Sequence, residues 1–266
     1  MNPMDDNLPP AGRKRRLMMM RPVAHLCALG VACRLLPRSL LLASFGAALQ
    51  HRAQAAQVVT QTREVSSFNE VVFAAAGDLY LTQGQREHLT IEAEPDVLRL
   101  ITSEVRSQRL TLGFASGSSV LAREPIRFRL ELRTLRALKL QSAGGVHSGA
   151  IKTEHLSLDL PGSGDIEIER LDARRLELRL SGSGNVSVRH GQVDSQRLEI
   201  GGAGSVTTNG LASRDAEVSI DGSGEVRLAA SARLTARITG SGSVRFSGNP
   251  QLVESITGAG TVQRDF

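Results

Sequence analysis

The sequence contains no tryptophan, one tyrosine and two cysteines in 266 residues. Both cysteines, Cys27 and Cys33, fall within residues 1–55, so residues 56–266 contain no thiol. A thiol-free segment holds neither a disulfide framework nor a cysteine-based zinc site, and it suits an oxidising compartment. With Tyr80 as the only tyrosine, the chain has no series of Trp or Tyr faces on which sugars could stack. Any carbohydrate contact would therefore be mostly polar.

Excess positive charge is also missing from most of the chain. The full sequence carries 32 Lys and Arg against 27 Asp and Glu, and its pI is about 10.0. Residues 1–55 hold 8 of those cations but only 2 of the acids, which leaves 24 cations and 25 acids in residues 56–266. The basic pI therefore belongs to residues 1–55, and the charge of the remainder does not indicate a nucleic-acid partner.

Residues 1–55 have the organisation of a secretory signal peptide. A basic stretch that includes residues 13–16 precedes an apolar run at residues 40–49, and Ala53-Gln54-Ala55 forms an A-x-A cleavage signal. The apolar run is too short for a membrane-spanning helix, which needs about 20 residues. We therefore predict a signal peptide at residues 1–55, export to the periplasm or beyond the cell, and a mature chain without a transmembrane segment.

A glycine-centred motif, x-G-[SA]-G-x-[VI], recurs through the second half of the chain. Its copies are QSAGGV, PGSGDI, SGSGNV, GGAGSV, DGSGEV, TGSGSV and TGAGTV, which begin at Gln141, Pro161, Ser181, Gly201, Asp221, Thr239 and Thr257. The starting position advances by 20 at each of the first four steps and by 18 at each of the last two. A period of this length indicates stacked structural units, each of which contacts only its neighbours.

Apolar and polar residues alternate on both sides of each motif, as they do in strands. One apolar column precedes the motif and contains Leu160, Leu180, Ile200, Ile220, Ile238 and Ile256. A second column follows the motif and contains Val146, Ile166, Val186, Val206, Val226, Val244 and Val262. The pattern predicts an all-β fold, a parallel β-helix-like solenoid with coils of about 18–20 residues whose inward columns form one core.

The central residue of each motif is Ser or Ala, and two interpretations of that restriction stay open. In the first, the side chain points into a tight corner between coils about 4.8 Å apart, where only a small group fits. In the second, the serines form a ladder of hydroxyls that contacts a ligand. The first interpretation predicts that Ser183→Leu destabilises the protein by about 1–3 kcal/mol through overpacking. An unchanged melting midpoint would place Ser183 in solvent.

Charges in the outward columns alternate in sign from coil to coil. One column contains Asp159, Arg179 and Glu199, and another contains Glu177, Arg197 and Glu217. A cross-strand pair of opposite charge contributes about 0.2–1 kcal/mol and penalises a shifted register. We interpret these columns as pairs that set the register rather than as a binding stripe.

The mature chain, residues 56–266, is predicted to form one continuous domain. Residues 56–140 show only echoes of the repeat and are interpreted as irregular coils and a cap, with one short helix that begins at Pro95. Residues 141–266 form the GSG-repeat solenoid. Its last coil carries Glu254 and Arg264 where earlier coils mostly carry apolar residues, as expected of a terminal cap.

The densest acidic cluster consists of Asp165, Glu167 and Glu169, and alternation places Asp165 and Glu167 on the same face of one strand. These two carboxylates are the best available candidates for the acid and base of a polysaccharide-active enzyme. Neither a second carboxylate pair nor a metal cage occurs one coil later, where the sequence has Asn185, Ser187 and Arg189. We therefore predict no catalytic, metal or cofactor site.

Three features together resemble the bacterial putative autotransporter adhesin head (GIN) domain family. They are the opening segment EVSSFNEVVFAAAGDLYLTQG, the insert EPDVLRLITSEV and the repeated GSG coils, and the resemblance spans about residues 62–263. It implies a right-handed parallel β-helix-like solenoid in the cell envelope or outside the cell. The adhesin description of the family implies little about a particular molecular activity.

The sequence therefore predicts an exported cell-envelope or secreted adhesin or interaction module that is not an enzyme. Its partner would be a protein or a polysaccharide of the envelope or cell surface, and the residues do not favour either class. Two alternatives remain open. One is a polysaccharide-active β-helix enzyme that uses Asp165 and Glu167, and the other is a purely structural envelope protein without a dedicated ligand.

Overall fold

Strands of one 18-stranded sheet make up most of the described part of the chain. This computed structural model describes residues 57–265. The predicted signal peptide, residues 1–55, lies outside that range. Within the described residues, no helix combines the length and the apolar character that crossing a membrane requires.

The first eight strands and one helical turn form the irregular opening of the sheet. They are β1 Val59–Arg63, β2 Glu70–Phe73, β3 Asp78–Gln83, β4 His88–Ala93, α1 Pro95–Leu98, β5 Ile101–Arg106, β6 Arg109–Phe114, β7 Arg127–Leu132 and β8 Ala137–Leu140. β4 pairs antiparallel with both β1 and β7, and β5 pairs antiparallel with β6. β2 pairs in parallel with β6 and β8, and β3 pairs in parallel with β7. The opening therefore mixes antiparallel pairs with coil-like parallel pairs.

The repeat region continues the sheet as parallel coils. Its strands are β9 Gly145–Leu160, β10 Asp165–Leu180, β11 Asn185–Ile200, β12 Ser205–Thr208, β13 Leu211–Gly222, β14 Glu225–Ala229, β15 Arg233–Gly240, β16 Ser243–Ser247, β17 Gln251–Gly258 and β18 Thr261–Arg264. Ile166 of β10 pairs with Val146 and Val186, a shift in sequence number of 20 on each side. Ile220 pairs with Ile238, a shift of 18. The predicted all-β solenoid is confirmed, with about six turns.

Each of the first repeat coils has three short sides. In β10, pairing with β9 is interrupted at Glu169 and Arg174, and these two bends separate residues 165–168, 170–173 and 175–180. Apolar side chains of all three sides point inward, and both predicted apolar columns are buried up to the last coil. Three sides around one core leave three outward faces, which we call the first, second and third face in chain order.

The change from the longer to the shorter coils takes place on the second side. Residues 209–215 separate Thr208 from Ala216, whereas only residues 229–233 separate Leu228 from Leu234 one coil later. The longer second side of one coil therefore lies on a shorter one. Regular strand pairing is interrupted at this step. The backbone nitrogens of Ser231 and Ala232 still donate to the carbonyl oxygens of Ser213 and Arg214, and the remaining polar groups of the backbone there need other partners.

Three buried polar side chains supply those partners. Ser213 Oγ donates a hydrogen bond to the carbonyl oxygen of Ala229 at 2.6 Å, and Gln196 Nε2 donates to the same oxygen at 3.1 Å. Thr208 Oγ1 donates to Gln196 Oε1 at 2.9 Å. A buried carbonyl without a partner costs about 1–3 kcal/mol, so this network stabilises the shortened coil.

Arg63 fastens β1 to the opening of the sheet. Its guanidinium donates to the carbonyl oxygen of Ile101 at 2.7 Å and to that of Leu98, at the end of α1, at 2.9 Å. The same group is 3.3 Å from Ser103 Oγ. One side chain thus joins the first strand to the helical turn and to β5, which would otherwise be linked to β1 only through β4 and the sheet.

At the GSG corner the small central residue faces solvent. Ser183 and its counterparts in the other coils are exposed, so the expectation that these side chains fill a tight corner is wrong. The flanking glycines make the close approach instead. A Cβ on Gly184 would collide with the carbonyl oxygen of Gly164, and one on Gly162 would lie 2.7 Å from the carbonyl oxygen of Ser142.

The last coil ends the described solenoid with an open edge. Every residue of β17 is exposed, including Leu252 and Ile256, whose counterparts in earlier coils are buried. Arg264 donates to the carbonyl oxygen of Gly248 and, at 2.6 Å, to Oδ1 of Asn249. Charged side chains at inward positions, Arg264 and Glu254, make this edge less suited to pairing with another strand.

The corner geometry predicts which residue of the motif tolerates a larger side chain. Gly184→Ala should lower the free energy of unfolding by about 1–3 kcal/mol, because the added methyl group forces neighbouring coils apart. Ser183→Leu, the matched control on the adjacent exposed residue, should leave the melting midpoint nearly unchanged. Thermal unfolding followed by circular dichroism measures both variants. Equal losses in the two variants would contradict the assignment of the close contact to the glycines.

Candidate functional site

Asp165, the first of the candidate acidic residues, accepts hydrogen bonds from the next coil. Its Oδ1 accepts hydrogen bonds from the backbone nitrogen of Asn185 at 2.8 Å and from Asn185 Nδ2 at 2.9 Å. Ser205 Oγ continues the ladder by donating to Asn185 Oδ1 at 2.7 Å. Asp78 has the same relation to the backbone nitrogen of Gly145, at 3.2 Å. These contacts give Asp165 a structural role in joining successive coils.

Glu167 and Glu169 lie near basic side chains of neighbouring coils. Glu167 Oε2 is 3.4 Å from His147 Nδ1 and 3.9 Å from Arg189 Nη2, and Glu169 Oε2 is 3.6 Å from Arg189 Nε. The two glutamates are about half exposed. Within residues 57–265, no group of three or more His, Cys, Asp or Glu side chains comes together as a metal site would require. The strand alternation placed Asp165 and Glu167 on one face correctly, but each carboxylate has its own partners.

Tyr80, on the first face, stands between two cross-strand neighbours. Its ring stacks on that of His147, with the ring centroids 5.2 Å apart, and the Arg129 guanidinium lies 5.6 Å from its centroid. Arg129 and His147 belong to the strands on opposite sides of Tyr80, so they approach its two ring faces. Arg129 Nε is also 3.0 Å from Glu92 Oε1. Tyr80 therefore leaves little free ring surface for stacking a sugar.

The third face carries the charged columns predicted from the repeat. Arg179 pairs in register with Asp159 and Glu199, and Arg197 pairs with Glu177 and Glu217. Arg179 Nη2 lies 2.8 Å from Glu199 Oε2, and Arg197 Nε lies 3.0 Å from Glu199 Oε1. The predicted register of these columns is confirmed, and in these coils the charges of the face neutralise one another in ion pairs.

Glu199 is the most strongly paired carboxylate of that face. Hydrogen bonds from Arg179 and then from Arg197 hold its pKa below the ordinary value of 4.5, although partial burial opposes them. The same contacts raise the pKa values of Arg179 and Arg197. The local charge is thereby fixed at neutral pH, and this part of the surface has little free charge with which to attract a ligand.

A groove runs along the corner between the second and third faces, and we call it the corner groove. It follows the bend at Arg174, has a volume of about 700 Å³ and is open to solvent. Three adjacent coils line it at equivalent positions, with Lys152, Thr153 and Glu154 from β9, Asp172 and Arg174 from β10, and Gln192 from β11. The wall at one end is formed by Asn69 and by Thr134 and Arg136, which belong to the irregular opening.

The corner groove combines paired and unpaired charges. Arg174 Nε lies 3.0 Å from Glu154 Oε2, and Asp172 Oδ2 lies 2.9 Å from Nε of Arg170, beside the groove. Within the described residues, Arg136 and Lys152 have no carboxylate within 4.0 Å. The groove is therefore positively charged at the end where the irregular opening meets the first full coil.

The corner groove was not predictable from the periodic pattern of the sequence. Lys152 belongs to the periodic part, but the outward column that it begins continues with Asp172 and Gln192 and so shows no consistent charge. Arg136 and Asn69 lie in the aperiodic part, and only the pairing of β8 with β2 and β9 brings them to the groove. One signal was available, because Lys139 and Asp159 pair across β8 and β9 and so align that part of the opening with the first coil.

The chain matches the model of a known protein family. The family model described as putative auto-transporter adhesin, head GIN domain, matches residues 67–250. The chain belongs to this family. The matched GIN domain begins before β2 and ends between β16 and β17, so it contains the opening except β1, the corner groove and nearly all of the coils. The comparison with curated proteins found no match.

Solved structures of similar proteins share the fold of this GIN domain. A putative adhesin from Bacteroides fragilis is 24% identical, with a TM-score of 0.75 over 79% of this chain and 97% of that one. A putative lipid binding protein from Parabacteroides distasonis is 20% identical, with a TM-score of 0.67 over 80% and 98%. A putative adhesin from Parabacteroides merdae is 19% identical, with a TM-score of 0.65 over 80% and 98%. At these identities the likeness establishes the fold.

The ion pairs of Glu199 predict how the stability of the GIN domain depends on pH. Because the folded-state pKa of Glu199 lies below 4.5, its contribution is present above that value and is lost as pH falls through the folded-state pKa. Glu199→Gln should therefore lower the melting midpoint at about pH 7 but show a smaller difference from wild type at about pH 3.

Asp194→Asn provides the control for that measurement. Asp194 is exposed, and no cation lies within 4.0 Å of it in the described part of the chain. Its replacement should leave the melting midpoint nearly unchanged at both pH values. A Glu199→Gln variant whose deficit is the same at both pH values would contradict the role assigned to these ion pairs.

Proposed function

We propose that this GIN-domain protein is exported and acts as a non-catalytic adhesion or interaction module of the cell envelope or cell surface. The observation that carries the proposal is the state of its outward carboxylates. The carboxylates of the first face that we considered for catalysis contact amides, histidines or arginines of adjacent coils, as Asp165 does, and those of the charged columns on the third face pair with arginines, as Glu199 does. Such contacts support a rigid surface that binds rather than a pair of carboxylates free for acid and base chemistry.

Extended faces on a repeated scaffold suit a macromolecular partner. Because each coil contacts only its neighbours, a solenoid offers a long surface whose outward residues are held in fixed columns. The corner groove, on the second and third faces, supplies a concave part of that surface. A protein or a polysaccharide of the envelope could lie along several coils at once, and the family description as an adhesin supports this use.

The finer features of the proposal rest on the sequence and the family. Residues 1–55 would direct export and be removed, and residues 56–266 would form one continuous domain. Its coils would wind with a right hand, as the family resemblance implies. The mature protein would need no cofactor or metal ion to bind its partner.

Export can be tested by removing the leader. A chain that lacks residues 2–55 should stay in the cytoplasm, whereas the full chain should reach the periplasm or the medium with a lower mass after cleavage. Cell fractionation followed by immunoblotting measures both. Ala53→Asp with Ala55→Asp should block cleavage, because small residues are needed at those positions, and should leave a full-length precursor. Normal export of the leaderless chain would contradict the proposed location.

Binding without turnover is the second expectation. The exported protein, purified after expression with its own leader, should bind saturably to some member of an array of glycans and envelope proteins. Product release, followed in the same wells as new reducing ends or new amino groups, should stay at the level of the buffer. Turnover that is lost in Asp165→Asn with Glu167→Gln would instead establish the enzymatic alternative. Normal export without binding to any array member would favour a purely structural role.

A further inference from the structure

We propose that the corner groove binds an acidic polysaccharide, with carboxylate groups of the polymer seated at Arg136 and Lys152. This inference rests on the proposed function, because it names the partner class of an interaction module. Its first support is the unpaired positive charge in the groove. Many arginines in the described part of the chain lie within 4.0 Å of a carboxylate, but Arg136 and Lys152 do not, and both line one groove. Carboxylates form strong, charge-assisted hydrogen bonds with both arginine and lysine side chains.

The two cations differ in what they offer a ligand. The planar guanidinium of Arg136 has donors in a fork that matches the two oxygens of a carboxylate. The ammonium of Lys152 is a compact charge with three donors on a flexible stem. Both side chains are exposed, and neither has to break an internal ion pair before it contacts a ligand. The free-energy cost of binding a ligand is therefore lower here than at Arg179 or Arg197, which already form ion pairs with Glu199.

The other groups at the groove favour a polyhydroxylated ligand. Thr134 and Thr153 supply hydroxyls, and Asn69 and Gln192 supply amides, which donate and accept hydrogen bonds as sugar hydroxyls do. Asn69 Nδ2 donates to Gln108 Oε1 at 2.7 Å, which orients the amide. Ala173 is the only apolar side chain among the described residues that line the groove, so the groove has no large apolar side chain against which a lipid chain could pack.

The direction of the groove favours a polymer over a small molecule. Its lining residues lie at equivalent positions of three consecutive coils and of the opening segment before them. With strands about 4.8 Å apart, four successive layers span about 14 Å along the solenoid axis. An extended chain that lies in the groove would therefore meet Arg136 and Lys152 at one end and continue over Asp172 and Gln192.

Backbone hydrogen bonds hold the two cationic residues in place. Gln83 accepts a hydrogen bond from the backbone nitrogen of Lys152 at 2.7 Å and donates to its carbonyl oxygen at 3.0 Å. The backbone of Arg136 donates to the carbonyl oxygen of Asn69 at 2.8 Å and accepts from Ser157, also at 2.8 Å. Little backbone ordering is then required on binding, which favours affinity.

The test compares polymers that differ only in charge. The exported protein should bind polygalacturonate and alginate saturably and should not bind fully methyl-esterified pectin, which has the same backbone as polygalacturonate without free carboxylates. Arg136→Gln with Lys152→Gln should weaken binding to the acidic polymers at least about tenfold, because two charge-assisted contacts are lost. Calorimetry or biolayer interferometry measures the affinities, and circular dichroism checks that the variants fold.

A matched control removes the same charge elsewhere. Arg233 and Arg237, in the third face of a later coil, also have no carboxylate within 4.0 Å in the described part of the chain. Arg233→Gln with Arg237→Gln should change the affinity for polygalacturonate by less than about twofold at physiological salt, where distant charges are screened. Equal losses in the two double variants would mean non-specific attraction of a polyanion and would overturn the assignment of the groove.

Other outcomes separate this inference from the proposed function. Failure to bind polygalacturonate and alginate would overturn the groove assignment, as would equally tight binding of dextran sulfate or single-stranded DNA. Binding of another array member that is unaffected by Arg136→Gln with Lys152→Gln would leave the proposed function standing and place its site elsewhere. Absence of all binding, despite normal export and folding, would remove the proposed function together with the groove.

Discussion

The close approach of backbones at the GSG corner is the constraint on which the rest of the solenoid depends. A Cβ on Gly182 would collide with the carbonyl oxygen of Gly162, and one on Gly202 would collide with that of Gly182. Each coil therefore passes this corner in contact with the previous one, and a side chain would separate them. Because the contact recurs once in every coil, it holds the coils in register, and the alternating side chains then fall into inward and outward columns.

Constant register determines both the core and the surface charge. Inward columns such as Val146, Ile166 and Val186 cover one another, and no coil could bury them alone. Outward, the same register brings Arg179 against Glu199, so the charges of these columns cancel in pairs. The coils shorten only on the second side. There Gln196 and its partners form side-chain hydrogen bonds where the regular strand pairing is interrupted. Apolar columns and ion pairs thus stabilise the regular coils, whereas buried side-chain hydrogen bonds stabilise the place where the coil shortens.

Periodic features were predictable from the sequence because a fixed spacing translates directly into stacking. The apolar columns and the charge pairs of Arg179 and Arg197 follow from that spacing, and the structure has them in the predicted register. The orientation of Ser183 did not follow, because spacing does not reveal which residue of a GSG triplet turns outward. Gln196, a polar residue in the column of Leu156 and Leu176, was a visible sign of the internal network. Its partners come from residues far along the chain, and only the fold identifies them.

The corner groove, which we propose as an interaction site, lies where the periodicity of the coils is interrupted. Repeated coils present the same columns, and opposite charges that neutralise one another across the strands stabilise a fixed register. At the junction with the opening segment, which follows another pattern, two unpaired cations line the same groove. Arg136 belongs to the opening segment, whereas Lys152 belongs to the first full coil, and their juxtaposition depends on β8 pairing with β9. GIN domains that share the coils but differ in the opening segment would then keep the scaffold and change the ligand, because scaffold and groove wall are encoded in different parts of the chain.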